Sequence, residues 1–214
     1  MAMENLVWID CEMTGLNLID DALIEVAVLV TDSDLQVLGD GIDIVIKPPT
    51  AAIEQMGDYV REMHSSSGLL EALNDGVTLA EAEEQILDYV RRFVPEPQRA
   101  PLAGNTVGMD RAFLARDMPN LEGYLHYRNI DVSSIKELVR RWFPRAFFGS
   151  PDKNGNHRAL GDIQDSITEL RYYRDTVFVP APGPTKEESR QAAGRHAGTF
   201  SSVFTPDPRI AQAS

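Results

Sequence analysis

The stretch that most constrains this chain is Leu6-Val7-Trp8-Ile9-Asp10-Cys11-Glu12-Met13-Thr14-Gly15-Leu16. Its apolar opening predicts a buried strand, and two carboxylates then follow one residue apart. Side chains alternate along a strand, so Asp10 and Glu12 point one way while Ile9, Cys11 and Met13 point the other. Two like charges on a strand that otherwise reads as buried repel each other and are costly to desolvate. A divalent cation removes that cost, and carboxylate oxygens suit Mg²⁺ or Mn²⁺. Taken alone, Asp-x-Glu also fits a solvated strand surface, so the reading turns on which other acids the fold brings alongside.

The rest of the chain shows how such a gathering is built. Ala22 to Thr31 reads as a second, mostly buried strand, interrupted by Glu25, for which a structural pairing and a role at the site are equally open. Leu38 to Ile46 alternates as a third strand, and short turns between the three predict an antiparallel meander. Residues 50–77 predict short helices. Thr78 and Glu81 form a capping box for a helix through Phe93, with Leu79, Ala82, Ile86, Tyr89, Val90 and Phe93 as its apolar stripe. Ala100 to Ala103 predicts a short strand leading through a glycine-bearing turn into a helix from Met109 to about Met118. Arg128 to Val132 predicts a fifth strand, and Ser133 is expected to cap a helix through Trp142. A last long helix is expected from about Arg158 to Arg174. Strands first, then strands alternating with helices, predict an α/β domain with a mixed five-stranded central sheet flanked by helices. The domain is expected over residues 1–179. From Pro180 the composition turns to Pro, Ala, Gly and Ser, and 180–214 reads as a flexible tail, with Phe200, Val203 and Phe204 as its few apolar anchors.

Charge and cysteine content narrow the chemistry. A net charge of −13 leaves no broad basic surface for tracking a long nucleic acid, but it permits a short one held by a few contacts and by metal ions. The single cysteine, Cys11, excludes an intramolecular disulfide and a cysteine-based zinc cluster, and it reads as a small buried hydrophobe behind the first strand. No apolar run reaches membrane-spanning length and no signal-peptide pattern opens the chain, so a cytoplasmic location is the expectation.

Further acids match the needs of the first strand. Asp110 lies in the opening turn of its helix, where the helix dipole favours an acid in any case and where α/β sheets also gather ligands. Asp162 lies in the first turn of the last helix, five residues after His157, which ends a polar loop. Asp165 and Glu169, on the same helix, read as a solvated acidic face.

The set Asp10-x-Glu12, Asp110 and His157-x4-Asp162 resembles the DEDDh group of 3′-to-5′ exonucleases. The chain is similar to the oligoribonucleases within that group over about residues 4–178. The stretches carrying the resemblance are Trp8 to Leu16, Gly104 to Arg111 (GNTVGMDR), His126 to Ser133 (HYRNIDVS) and Leu170 to Arg174 (LRYYR). The resemblance implies a ribonuclease H-like fold, Asp10, Glu12, Asp110 and Asp162 as ligands of two divalent metals, and His157 as general base. It further implies Tyr127 at the active site, Leu16 as a wedge between two bases, and His64, Arg128 and Ser133 capping a substrate 5′-phosphate, partly from the second subunit of a homodimer. Tyr59 stands where relatives carry a tryptophan against a base, and Thr106 where they carry a serine near the phosphate. The implied substrates are very short RNA oligonucleotides, dinucleotides above all. A proofreading-type exonuclease on longer single strands, or a non-catalytic binding module of the same fold, are the alternative readings.

Overall fold

The structure is a computed structural model in which residues 5–152 and 158–197 are described. The chain divides into two units, one ending at Val177 and a second beginning at Phe178.

In the first unit, β1 (Leu6–Met13), β2 (Leu23–Thr31) and β3 (Val37–Val45) form the expected antiparallel meander. β4 (Pro101–Gly104) pairs parallel with the other side of β1, and β5 (His126–Asp131) pairs parallel with β4, giving a mixed sheet of order β3-β2-β1-β4-β5. The helices of this unit are α1 (Thr50–Glu54), α2 (Asp58–Ser66), α3 (Leu69–Ala72), α4 (Leu79–Phe93), α5 (Gly108–Asp117), α6 (Pro119–Tyr124), α7 (Val132–Trp142), α8 (Pro144–Phe148) and α9 (Ala159–Thr176).

The alternation of β1 sorts its side chains between two cores. Val7, Ile9 and Cys11 enter a cluster with Ala82, Ile86, Phe113 and Leu114 from α4 and α5. Trp8 enters the opposite cluster with Val132 and Val139 of α7 and Ile163, Ile167 and Tyr173 of α9. Cys11 is thus the small buried hydrophobe expected of it. Every residue of β2 is buried, because helices cover the sheet on both sides. The Trp8 indole N–H, deep in this core, donates to Thr31 Oγ1 at 3.0 Å.

α4 starts as the sequence predicts: Thr78 accepts from the Glu81 N–H while the Glu81 carboxylate accepts from the Thr78 N–H. The start of α7 differs from expectation. Its N-cap is Asp131, whose Oδ1 accepts the Ser133 N–H at 2.9 Å, so Ser133 lies inside the first turn with its hydroxyl turned to other partners. α6 and α8, which no periodic pattern marks, are each a single short run opened by proline, whose fixed φ and absent N–H suit a first helical position.

Among its described residues the second unit carries α10 (Lys186–His196), begun by a capping box between Thr185 and Glu188. Composition alone concealed it, because none of its side chains is buried and no apolar stripe marks it. Phe200, Val203 and Phe204 lie outside the described residues.

Gly104 closes β4 where the chain crosses β1. A Cβ there would lie 2.9 Å from Val107 Cγ1 and 3.0 Å from the Ile9 carbonyl oxygen. Gly104→Ala should therefore push β1 outward at Ile9 and cost about 1–3 kcal/mol of stability, the range for overpacking a core. The shift of the urea unfolding midpoint measures it.

Candidate active site

Asp10 and Glu12 lie on the same side of the sheet as Trp8, the side covered by α9. Asp10 pairs in register with Ala27, whose methyl group leaves room above it, and Glu12 pairs with Glu25. Asp162 projects from the first turn of α9 toward the same place. Asp10, Glu12 and Asp162 each offer a carboxylate oxygen within 4.8 Å of the others, and all three are partly buried. Asp110 is buried in the first turn of α5, where its Oδ1 accepts the Cys11 N–H at 3.0 Å and ties the helix to the strand between the two β1 acids.

The electrostatics follow from this crowding. Burial pushes the Asp10 carboxyl up to about 9, and Asp110, Glu12, Asp162 and Glu25 push in the same direction. Burial raises Glu12 to about 8, assisted by Glu25, Asp162 and Asp110 and opposed by Arg158. Asp110 is raised to about 6 by burial, with hydrogen bonds from its own N–H and from Cys11 holding it back. Hard oxygen donors that repel one another this strongly fit a divalent cation.

Around the acids, other residues singled out by the sequence take separate stations. Leu16 and Tyr59 are 66% and 81% exposed. The loop carrying Leu16 is braced at its base: Thr14 Oγ1 donates to Asp21 Oδ1 at 3.0 Å, the Asn17 N–H donates to Asp21 Oδ2 at 2.9 Å, and Arg116 donates to the Asp21 carbonyl at 2.8 Å. On β5, Tyr127 is exposed and stacks on His126 with centroids 4.5 Å apart, while the Arg128 guanidinium lies 5.5 Å from the Tyr127 ring centre. Thr106 holds a positive φ of 58° at the end of β4, which brings its Oγ1 to 2.9 Å from Ser133 Oγ. His64 is fully buried: its Nε2 is 2.9 Å from the Met13 carbonyl oxygen and its Nδ1 is 4.0 Å from Glu12 Oε2. His157 lies outside the described residues.

Two acids differ from expectation. Asp165 and Glu169 are buried rather than solvated. Glu169 accepts from Lys136 Nζ at 2.8 Å, from the Tyr173 hydroxyl at 3.0 Å and from Asn105 Nδ2 at 3.3 Å. Asn105 in turn donates to Ser166 at 2.8 Å and accepts from the Ser133 hydroxyl at 3.0 Å. This chain of polar contacts links α9 to the turn that holds Thr106. Sequence reasoning missed Asn105 and Lys136, which no local pattern marks; for Glu25 it left a structural pairing open, and the structure supplies the partner, Arg158, 133 residues away.

Comparison with known proteins gives a consistent picture. The RNase_T family, described as Exonuclease, matches residues 7–170. The oligoribonuclease of Streptomyces griseus is 69% identical over 192 residues, covering 90% of this chain and 96% of that protein. The oligoribonuclease of Mycobacterium tuberculosis (strain ATCC 25177 / H37Ra) is 59% identical over 186 residues, 86% of each. Among solved structures, the zinc-bound form of the E. coli ExoI–ssDNA complex aligns with a TM-score of 0.63 at 15% identity, over 82% of this chain and 41% of that one. Exonuclease I from Methylocaldum szegediense aligns with a TM-score of 0.56 at 20% identity, over 81% of this chain and 41% of that one. These distant structures share the fold, and this chain spans about two fifths of their length.

Because Asp10 holds its proton in the folded state up to about pH 9 but releases it near 3.8 when unfolded, the folded chain binds more protons in between. Stability of the metal-free protein must then fall as pH rises through that window. Asp10→Asn removes the ionisation, so it should unfold at a higher temperature than wild type at pH 9, with the difference shrinking toward pH 5. Thermal melts in the presence of a chelator test this.

Proposed function

Because this chain belongs to the oligoribonuclease family of exonucleases, we propose that it is a 3′-to-5′ exoribonuclease that hydrolyses very short RNA, dinucleotides above all, to 5′-mononucleotides. The observation that carries this reading is the meeting of Asp10, Glu12 and Asp162, with carboxylate oxygens within 4.8 Å of one another. A surface of net charge −13 agrees with it, because a substrate of two residues needs no basic track.

Asp10, Glu12, Asp110 and Asp162 would hold two divalent ions, Mg²⁺ or Mn²⁺. When bound, these supply Lewis-acid charge to the scissile phosphate and to the attacking water. His157 takes the proton from that water as general base. Tyr127, exposed on β5, adds a hydroxyl to the active site. Leu16 and Tyr59 offer exposed apolar faces on which bases stack without regard to sequence. Arg128 presents a bidentate fork to the terminal 5′-phosphate, with Ser133 and Thr106 lining the same cap. To His64, with its ring buried against Met13 and beside Glu12, we assign the bracing of the end of β1 rather than direct contact with that phosphate.

A homodimer sharing the phosphate cap between subunits fits the exposure of Tyr127 and Arg128 on β5, the outermost strand of the sheet. No helix among the described residues is long and apolar enough to cross a membrane, and the proposed location is the cytoplasm. Residues 1–179 form the proposed exonuclease domain, and 180–214 a tail that bears α10.

Three experiments test the proposal. A series of 5′-labelled RNAs from two to seven nucleotides should show the highest kcat/KM at two, with cleavage abolished by chelation and restored by Mn²⁺. A rate that grows with length would point instead to a proofreading-type exonuclease. Asp10→Ala should abolish cleavage while leaving the circular dichroism spectrum unchanged. Arg128→Lys should raise KM for a 5′-phosphorylated dinucleotide far more than it lowers kcat, and should leave a dinucleotide without that phosphate almost unaffected.

A further inference from the structure

Glu25 is fully buried in β2, directly opposite Glu12 in the strand register. A carboxylate in that position needs full hydrogen bonding, and it finds its partners at the start of α9. Oε2 accepts the Ala159 N–H at 3.1 Å, while Oε1 accepts from Arg158 Nε at 2.7 Å and Nη2 at 2.6 Å. Arg158 Nη2 also lies 3.6 Å from Asp43 Oδ2. Arg158 is the N-cap residue of α9, and its own side chain makes no cap hydrogen bond. The helix is therefore capped from the sheet by Glu25, a negative group at the positive end of the helix dipole. Asp162 sits in that same turn, with its N–H donating to the Arg158 carbonyl at 3.1 Å.

We propose that Glu25 is a positioning residue: paired with Arg158, it seats the first turn of α9 against β2 and so fixes Asp162 opposite Asp10 and Glu12. The pair also sets the local charge. Glu25 adds a negative charge beside Glu12, and Arg158 balances it with a positive one. Losing the acid alone leaves the guanidinium balanced less well, by Asp43 at 3.6 Å, beside a cation site. Losing the arginine alone leaves the helix cap in place and the surroundings more negative. This inference rests on the reading that the acidic cluster takes a divalent cation.

The test measures Mn²⁺ binding to the full-length protein without nucleic acid, through the electron paramagnetic resonance signal of free Mn²⁺, with thermal unfolding in parallel. Glu25→Gln should weaken binding by about 10–100-fold, the range seen when residues supporting metal ligands are replaced. Arg158→Gln should bind no more weakly than wild type. The double variant Glu25→Gln/Arg158→Gln should stay as weak as Glu25→Gln, because the carboxylate that caps α9 is still missing; recovery to within about threefold of wild type would reveal a charge effect alone and overturn the positioning role. Unchanged binding in Glu25→Gln, or equal weakening in all three variants alongside lowered melting temperatures, overturns the proposal. Should Glu25→Gln not fold, weakened binding in the partly exposed Arg158→Gln overturns it equally. Wild-type protein that binds Mn²⁺ no better than Asp10→Ala would instead remove the cation site itself, and this pairing with it.

Discussion

The repulsion among carboxylates at the junction of β1, α5 and α9 governs much of this molecule. Burial and mutual proximity raise Asp10 to about 9 and Glu12 to about 8, so the folded chain holds them close only at an electrostatic cost. The surrounding structure offsets that cost in specific ways. Asp110 is anchored by the Cys11 N–H, Glu25 is neutralised by Arg158, and the two large apolar clusters on either side of the sheet supply the burial that keeps the strands together. Carboxylates crowded in this way are the groups that gain most from a nearby divalent charge.

The architecture is legible in the sequence where periodicity is strong. The alternation of β1, the apolar run of β2 and the capping box of α4 are each written in neighbouring residues, and the structure bears them out. So is the side of β1 on which Asp10 and Glu12 lie, since a period of two leaves no freedom once Trp8 is committed to a core. What stayed hidden depends on distant parts of the chain. Asp165 and Glu169 read as a solvated face because a helix pattern shows which residues share a side, not what covers that side; α7 and the turn after β4 cover this one. The N-cap of α7 was misread by two positions because Asp131 and Ser133 are both good capping residues, and only the backbone angles decide between them.

The acids that belong to the site and the acids that support it look alike in sequence. Asp162 and Glu169 are seven residues apart on one helix, yet the first faces Asp10 and Glu12 while the second is bonded to Lys136, Tyr173 and Asn105. The same helix thus presents an electrostatically frustrated end and a satisfied middle. Satisfaction in the middle is what holds the other end in register, because Ser166 joins both: its hydroxyl donates to the Asp162 carbonyl at 2.8 Å and accepts from Asn105 at 2.8 Å.

One oxygen atom at the far side of this arrangement has a mechanical meaning. Asp131 Oδ1 accepts both the Thr106 N–H at 3.1 Å and the Ser133 N–H at 2.9 Å, and the two hydroxyls of those residues touch at 2.9 Å. The turn after β4 and the start of α7 are therefore pinned at a shared point, like two blades on a single rivet. Neither backbone can shift without dragging the other, so the spacing of the two side chains is set when the chain folds.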